Sequence, residues 1–175
     1  MENTAAILLR RTRFSETSLI LTWLTLEHGK LKTMAKGALR PKSAFAGVVD
    51  LFYETEIAFV RSSRSEIQTL REVVLRNPFD GLRRDYMRVE LAAYFVELLE
   101  VTTELEHPIP ELFDLLRRAL VYLENATPDR RALTHFEGEL ARLMGVHNEG
   151  NAYAALSRVC HHLPDSRRGL IAKLA

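Results

Sequence analysis

Alternation of apolar and polar residues runs through the first part of the chain. It is clearest at residues 51–60, and it includes residues 30–36, where Leu31, Thr33 and Ala35 alternate with lysines and a methionine. Because successive side chains of a strand point to opposite faces, this segment has one apolar face and one cationic face. The pattern predicts four further strands, which cover residues 5–9, 17–26, 51–60 and 67–75.

A helical turn is predicted between the third and fourth strands, at residues 43–49, with Ser43 as its N-cap. Five short strands with such a turn are typical of a Greek-key barrel of the OB type, in which Trp23 and Tyr53 would fill the interior. A Tudor-like or SH3-like barrel has the same number of strands, and the helical turn is what favours the OB type. In OB barrels the face of strands two and three and the adjoining loops bind oligonucleotides.

The period of the pattern changes from two residues to a helical spacing after residues 77–81. Apolar residues then fall on one stripe of a helix that begins near Leu82, and this stripe includes Tyr86. The pattern also predicts helices at residues 111–123, 151–159 and 166–174, and one that starts with Thr127 as N-cap and Pro128 and ends at Gly145. We therefore predict an α+β protein with two domains, a five-stranded OB-type nucleic-acid-binding barrel (residues 1–77) followed by an α-helical bundle (residues 78–175).

Positive charge is concentrated in the first quarter of the chain. The whole chain has a net charge of only +1, but eight lysines and arginines lie between residues 8 and 42 against two acidic residues, Glu16 and Glu27. A local concentration of this kind is the footprint of a nucleic-acid or acidic-peptide site. The predicted DNA-binding residues are eight cations and one aromatic: Lys30, Lys32, Lys36, Arg40, Lys42, Arg10, Arg11, Arg13 and Phe45. The aromatics near this strand are Trp23, Phe14, Phe45 and Tyr53, and one or two of them could stack on bases.

Two alternatives to DNA binding remain for this cationic strand. It could be a solvated edge strand whose lysines discourage aggregation. It could also belong to a protein-interaction adaptor that holds an acidic peptide. A competition experiment at several salt concentrations separates DNA from a peptide, because only nucleic acid gives a steep log-linear loss of affinity with salt.

Arginines of the predicted helices suggest a second cationic surface. They are Arg117, Arg118, Arg130, Arg131 and Arg142. Beside exposed apolar residues they would suit a short acidic peptide with an aromatic end, although solvated helix faces are the commoner explanation.

Four histidines and one cysteine are candidate metal ligands or catalytic residues: His135, His147, Cys160, His161 and His162. The contiguous run at 160–162 lacks the paired spacing of zinc ligands. The H-x-E match at residues 135–137 lacks the P-C-x-x-C partner of zinc deaminases, and a Cys160–His161 nucleophile pair lacks a third orienting group. We therefore expect no catalysis, no cofactor and no metal, and a zinc hydrolase around His147, Cys160 and His161 is the alternative that metal analysis would test.

The single cysteine excludes an intramolecular disulfide framework and fits a reducing compartment. The apolar run at residues 5–9 is too short for the core of a signal peptide, and no stretch approaches the length of a membrane span. We expect a cytoplasmic, nucleoid-associated protein with no membrane partner.

Several motifs, taken in order, resemble one family. The most specific is the run A-K-G-x-x-R-P-K-S at residues 35–43, which follows Glu27-His28-Gly29-Lys30 and the strand at residues 6–10. These segments look like the N-terminal domain of the bacterial recombination mediators of the RecO family. Residues 110–116 and 136–145 look like that family's helical domain, so the resemblance covers roughly residues 4 to 146.

The resemblance implies a non-enzymatic DNA-repair factor with an N-terminal OB barrel. Such proteins bind single- and double-stranded DNA, anneal complementary strands, contact the tail of single-strand-binding protein, and work with RecR to load RecA. The family's basic surface maps onto Lys36, Arg40 and Lys42, with Lys30 and Lys32 beside them. Many members also carry a four-cysteine zinc module after the third helix. This chain has only one cysteine, so the module is expected to be missing or degenerate.

Overall fold

A computed structural model describes residues 1–146 and 150–174 of the chain. Its described part contains five strands followed by a 3₁₀ turn (Asp80–Arg84) and five α-helices. The strands are β1 (Glu2–Arg13), β2 (Leu19–Thr25), β3 (Gly29–Ala35), β4 (Glu54–Val60) and β5 (Ile67–Asn77). The helices are α1 (Tyr86–Thr102), α2 (Pro110–Asn125), α3 (Arg130–Leu143), α4 (Ala152–Val159) and α5 (Ser166–Lys173). The predicted α+β fold class is confirmed.

The five strands close into a barrel in the order β1-β2-β3-β5-β4. All neighbours are antiparallel except β3 and β5, which run parallel. This is the strand order of an OB barrel, and it confirms the predicted type. A break in register between Leu8 and Arg10 bends β1, so that one strand pairs with β4 through its first half and with β2 through its second. The register of β4 with β5 also shifts, between Glu54 and Thr55 and between Ala58 and Phe59.

The barrel interior is filled by inward-facing side chains of all five strands. Trp23 is fully buried, and its Nε1 donates a hydrogen bond to Oγ1 of Thr33 at 2.8 Å, which satisfies the buried indole. The predicted interior position of Trp23 is therefore confirmed. Phe45 packs in the same core and is only 8% exposed. Its ring is not accessible to a nucleic-acid base, so we correct its assignment from a stacking residue to a core residue.

Residues 43–49 form successive tight turns instead of the predicted helical turn. The Ser43 hydroxyl accepts from the Phe45 amide at 3.1 Å, and the Ser43 carbonyl accepts from the Ala46 amide at 3.2 Å. These turns do not continue into a helix, because Gly47 adopts a φ of 75°, outside the right-handed helical region. The N-cap prediction for Ser43 was therefore wrong in that no helix follows it.

The chain packs as two compact units. One, which we call the barrel unit, consists of Met1–Phe79 with Glu104–Phe113. The other, the helical unit, consists of Asp80–Thr103 with the described residues from Asp114 onwards. The predicted domains, residues 1–77 and 78–175, follow sequence order and stay a prediction.

Residues 104–113 belong to the barrel unit because they pair with the start of β3. Leu105 forms a parallel bridge with Lys30, and the Glu106 amide donates to the Lys30 carbonyl at 2.8 Å. The neighbouring Gly29 has a φ of 67°, and a Cβ atom there would lie 2.3 Å from the carbonyl oxygen of His107. Only glycine allows this close approach of the two backbones.

Aspartate side chains cap the starts of α1 and α3, at Asp85 and Asp129. Asp129 accepts from the Ala132 amide at 2.8 Å, so α3 begins at Arg130, and the predicted start, with Thr127 as N-cap and Pro128 as first helical residue, is wrong by two residues. Helix α1 begins at Tyr86, which is 71% exposed and therefore not part of the buried stripe predicted for it. The predicted stop at Gly145 is confirmed, since this residue has a φ of 71° and directly follows the C-cap of α3.

A buried ion pair lies inside the helical unit. Glu137 on α3 is 1% exposed, and its carboxylate accepts from the Tyr94 hydroxyl at 2.5 Å and from two nitrogens of Arg167 on α5 at 2.5 and 2.9 Å. The Arg167 guanidinium also lies 3.9 Å from the ring centroid of Tyr153. Burial, together with the Glu137 charge, raises the pKa of Tyr94 far above its ordinary value, and the hydrogen bonds to Glu137 raise the pKa of Arg167.

Candidate nucleic-acid interface

The outer face of β1, β2 and β3 carries two of the predicted cations. Arg10 lies opposite Thr22, and Thr22 lies opposite Lys32. Residues opposite one another in a sheet share a face, so Arg10 and Lys32 lie on the same side, two strand spacings or about 10 Å apart. The next row on this side places Ile20 opposite Met34. The face is therefore cationic and apolar, with Arg10 exposed on β1 and Lys32 partly exposed on β3.

A surface depression of about 340 Å³ lies where β3 ends. We call it the barrel depression, and it is lined by Phe14, Thr17, Ser18, Met34, Lys36, Gly37 and Arg40. Two loops meet there, residues 14–18 between β1 and β2 and residues 36–43 after β3. The Gly37 amide donates to the Ser18 hydroxyl at 3.3 Å, and the Leu39 amide donates to the Thr17 carbonyl at 2.9 Å. These bonds fasten the cationic loop to its neighbour.

Gly37 sets the course of the cationic loop. Its φ of 70° is in the left-handed region that glycine adopts without strain. The turn it makes is closed by the Arg40 amide, which donates to the Gly37 carbonyl at 3.0 Å, and the Arg40 carbonyl accepts from the Ser43 amide at 3.1 Å. A Cβ atom at position 37 would lie 3.4 Å from the Arg40 side chain, so the guanidinium stem lies directly against the glycine.

Four of the predicted cations keep their charges available. Within residues 1–146 and 150–174, Lys32, Lys36, Arg40 and Lys42 form no ion pair with a carboxylate. Three of the four are exposed, and Lys32 is partly exposed. An unpaired, solvated cation is suited to a phosphate, because binding does not first require an internal ion pair to break.

The other predicted cations have different surroundings. Arg11 follows Arg10 in β1 and therefore points to the opposite face, where it pairs with Asp50 at 3.0 Å. The Nε of Arg13 donates to the Ser15 carbonyl at 3.2 Å. Lys30 lies at the start of β3, beside the strand-like segment of residues 104–106. The structure therefore brings together residues 36 and 40 beside the β1–β3 face, and it separates Arg11 from them.

The polar loop at residues 61–65, between β4 and β5, also carries arginines that could contact phosphates. Its Arg61 is taken up by carboxylates, Glu2 at 2.8 Å and Glu106 at 3.1 Å, and it also contacts His28 at 3.2 Å. Arg64 is exposed. This loop therefore offers a phosphate less free charge than the loop after β3.

Phe14 is the residue of the depression that the set of predicted site residues lacks. It is 61% exposed, in the loop between β1 and β2. The signal in the sequence is an aromatic residue between Arg13 and a polar turn, where nothing apolar follows to pack on it. Phe45, which was predicted to contact DNA, is buried in the barrel core, whereas Phe14 is exposed and lines the depression.

A second concave surface lies in the helical unit, between α2 and α3. We call it the helical pocket; it has a volume of about 460 Å³ and is lined by Phe95, Leu115, Arg118, Ala119, Tyr122, Arg131, Ala132, His135 and Phe136. Its lining is mostly apolar, with arginines at the edge. The Nε of Arg118 is held by Asp114 at 2.7 Å, whereas Arg131 is exposed and has no ion pair within the described chain.

Metal and catalytic chemistry find no cluster in the described residues. No group of three or more His, Cys, Asp or Glu side chains among them is arranged to hold a metal ion. His135 is exposed whereas Glu137 is buried, so the H-x-E match does not form a site. Burial raises the pKa of the Cys160 thiol, which disfavours the nucleophilic thiolate. The third member of that hypothesis, His147, lies outside the described residues.

None of the helices in the described part of the chain combines the length and the apolar character that crossing a lipid bilayer requires.

Comparisons with known proteins agree with this fold and its order. The family model "Recombination protein O N terminal" matches residues 1–79, and "Recombination protein O C terminal" matches residues 83–155. Similar proteins include the DNA repair protein RecO of Salinibacter ruber, 36% identical over 144 residues, and those of Rhodopirellula baltica, 34% over 140, and Bacillus subtilis, 32% over 145.

These alignments cover 82%, 80% and 83% of this chain, but only 55%, 52% and 56% of the respective relatives. The chain therefore spans about half the length of the relatives it matches. Both family models match in the order of the barrel and the helices, and identity exceeds 30% over most of the chain. The chain belongs to the RecO family.

Proposed function

We propose that this chain is a non-enzymatic mediator of DNA repair and recombination that binds single- and double-stranded DNA through the cationic face of its barrel. The observation that carries the proposal is a set of four cations that have no ion pair with any residue the structure describes, Lys32, Lys36, Arg40 and Lys42, on β3 and the loop that follows it. Relatives named DNA repair protein RecO support the cellular role. A DNA-bound role would also account for a cytoplasmic, nucleoid-associated location.

The mechanism is electrostatic. Phosphates repel one another along and between strands, and each bound cation removes part of that repulsion while it releases counterions from the DNA. Side chains on β3 and its following loop would contact backbone and not base edges, so binding would not depend on sequence. Two complementary strands held in this way approach one another at reduced electrostatic cost, which would promote annealing. The same contacts with the phosphate backbone would hold the strand while it is delivered to RecA.

The helical pocket supports a proposal for one partner, the tail of single-strand-binding protein. An acidic peptide with an aromatic end fits an apolar floor that includes Leu115 and Phe136, with cations of Arg118 and Arg131 at the edge. RecR is proposed as a further partner on the strength of the family alone. The alternative function, an adaptor that holds an acidic peptide on the barrel, is tested by the same experiment as DNA binding.

The test is a titration of labelled oligo-dT at several salt concentrations. Neutralisation of about four phosphates on a single strand should give a slope of log affinity against log salt of roughly −3. The double variant Lys36→Ala, Arg40→Ala should weaken binding to all sequences alike and reduce the slope by about 1.4, since two contacts are lost.

Arg158→Ala with Arg168→Ala is the matched control, because both arginines are exposed in the helical unit and the change in net charge is the same. The control should leave affinity and slope unchanged. Unchanged affinity of the Lys36 and Arg40 variant would remove these two residues from the site. A weak salt dependence, together with displacement of the DNA by an acidic peptide, would instead favour the adaptor.

A further inference from the structure

We infer that the barrel depression seats an unpaired base of a single strand on the ring of Phe14, and that this contact makes the barrel favour single strands over duplex. The inference rests on the proposed function, since it names the form of DNA that the cationic face holds. It also assigns a role to a residue that electrostatics alone leaves unexplained. Phe14 is 61% exposed, an unfavourable position for a large apolar ring unless a partner covers it.

The loop that carries Phe14 is fastened by its own hydrogen bonds. The Phe14 amide donates to the Ser18 carbonyl at 3.0 Å, and the Ser15 amide donates to the same carbonyl at 3.3 Å. The Ser15 hydroxyl in turn accepts from the amides of Thr17 at 3.3 Å and Ser18 at 3.1 Å. A ring held on such a turn loses little conformational freedom when a base stacks on it, which favours binding.

The rest of the depression suits a flat apolar group. Met34, partly exposed, contributes a polarizable and adaptable side chain, and Gly37 presents only backbone. The Ser18 hydroxyl is already an acceptor for the Gly37 amide, so it has less capacity to read the edge of a base. The volume of about 340 Å³ is within the range of sites that take small organic groups. Stacking without edge contacts is tolerant of sequence.

The cations of the depression would bind the phosphates on either side of the base. Lys36 and Arg40 line the same depression as Phe14, so phosphates on either side of a seated base would meet positive charge. In a duplex the base is stacked and paired, and its extrusion carries an energetic penalty that a single strand avoids. The depression therefore distinguishes the two forms of DNA, although the phosphate contacts alone would not.

The experiment compares oligo-dT with an abasic oligomer of equal length, which carries the same phosphates and no bases. Wild-type protein should bind oligo-dT about 10-fold more tightly than the abasic strand, equivalent to about 1.4 kcal/mol. Phe14→Ala should bind both strands with the affinity that wild-type protein has for the abasic one. Phe14→Trp should keep the preference, and its fluorescence should be quenched by oligo-dT and not by the abasic strand.

The control is Tyr86→Ala, which removes another exposed aromatic ring, 71% exposed and in the helical unit, and should leave the preference intact. Thermal unfolding of each variant checks that it is folded. Equal binding of the two strands by wild-type protein, or an unchanged preference in Phe14→Ala, would overturn the inference while salt-dependent binding still supported the proposed function. Absence of salt-dependent binding to either strand would overturn the proposed function itself.

Discussion

Two cations of the barrel unit and one of the helical unit lie in opposite surroundings. Lys36 and Arg40 stand in solvent at the edge of a depression, without an ion pair in the described chain. Arg167 has only 18% of its side chain exposed, makes two hydrogen bonds to the buried carboxylate of Glu137, and lies against the ring of Tyr153. The charges are equal in sign and size, but only the first kind is free to meet a ligand.

The contrast teaches that the position of a charge decides which property depends on it. Removal of an exposed, unpaired cation costs little stability, because no partner is left behind. Removal of one member of a buried pair leaves the other charge without compensation, at a large cost. We therefore expect binding and stability to respond to different arginines, and the predictions below test that separation.

The largest effect is expected from Arg167→Ala. The Glu137 carboxylate, 2% exposed, would keep its burial and lose two hydrogen bonds from a cation. The free energy of unfolding should fall by about 3 kcal/mol or more, and the midpoint of thermal unfolding by about 6–12 °C. Affinity for oligo-dT, measured well below the midpoint, should not change.

The matched control for that change is Arg168→Ala, the neighbouring and exposed arginine, which should alter stability by less than about 0.5 kcal/mol. A triple change of Tyr94→Phe, Glu137→Leu and Arg167→Met should recover most of the loss, because neither a charge nor the Tyr94 hydroxyl then remains buried without a partner. Equal stability of Arg167→Ala and Arg168→Ala would contradict the role given to the buried pair.

A smaller effect is expected at the helical pocket, whose arginines are exposed but lie beside apolar side chains. Ala119→Phe should fill part of the pocket and weaken a short acidic peptide with an aromatic end by about 10-fold, near 1.4 kcal/mol. Binding of oligo-dT should stay as in wild type. Fluorescence anisotropy of labelled peptide and labelled DNA measures both on one sample.

Ala172→Phe is the control for the added ring, since Ala172 is exposed on α5 and does not line the pocket. It should leave the peptide affinity unchanged. Loss of DNA binding in Ala119→Phe, with peptide binding retained, would reverse the assignment of ligands to the two surfaces.

The smallest effect concerns pH and again the buried cluster. Because burial and Glu137 raise the pKa of Tyr94 above its ordinary value of 10.0, the unfolded chain loses this proton first as pH rises. The stability that Tyr94 contributes is therefore complete below pH 10 and declines above it, by less than about 1 kcal/mol up to pH 10.5. Urea unfolding at pH 9.5 and 10.5 should show a smaller decline for Tyr94→Phe than for wild type. An identical decline would show that Tyr94 does not couple to folding in this range.

The strands could be predicted from sequence because their signal is local. Leu31, Thr33 and Ala35 are buried while Lys32 and Met34 between them are partly exposed, as the alternation requires. The helical turn at residues 43–49 failed because a single glycine, Gly47, takes a left-handed conformation that composition does not reveal. The start of α3 was misplaced because Thr127 and Asp129 are both good N-caps, and only the geometry decides which side chain reaches an amide.

The candidate site was less predictable because it depends on distant contacts. Arg11 and Asp50 are 39 positions apart, so their ion pair could not be anticipated from the run of arginines. Phe45 and Phe14 both neighbour cations in the sequence, but closure of the barrel buries the former and leaves the latter exposed. Lys36 and Arg40 were found because glycine and proline beside them mark a loop, in which charges stay in solvent.

The barrel unit is discontinuous in sequence, and this affects how it folds during synthesis on the ribosome. Its edge at Lys30 is completed by Leu105 and Glu106, and Glu106 also accepts from Arg61 and Gln68. These partners are synthesised only after the whole of α1. The backbone of Lys30 therefore lacks them on this side until residues 104–113 have left the exit tunnel. A gene fragment that stops at Phe79 would encode the five strands of the barrel but would leave Lys30, Arg61 and Gln68 without these partners.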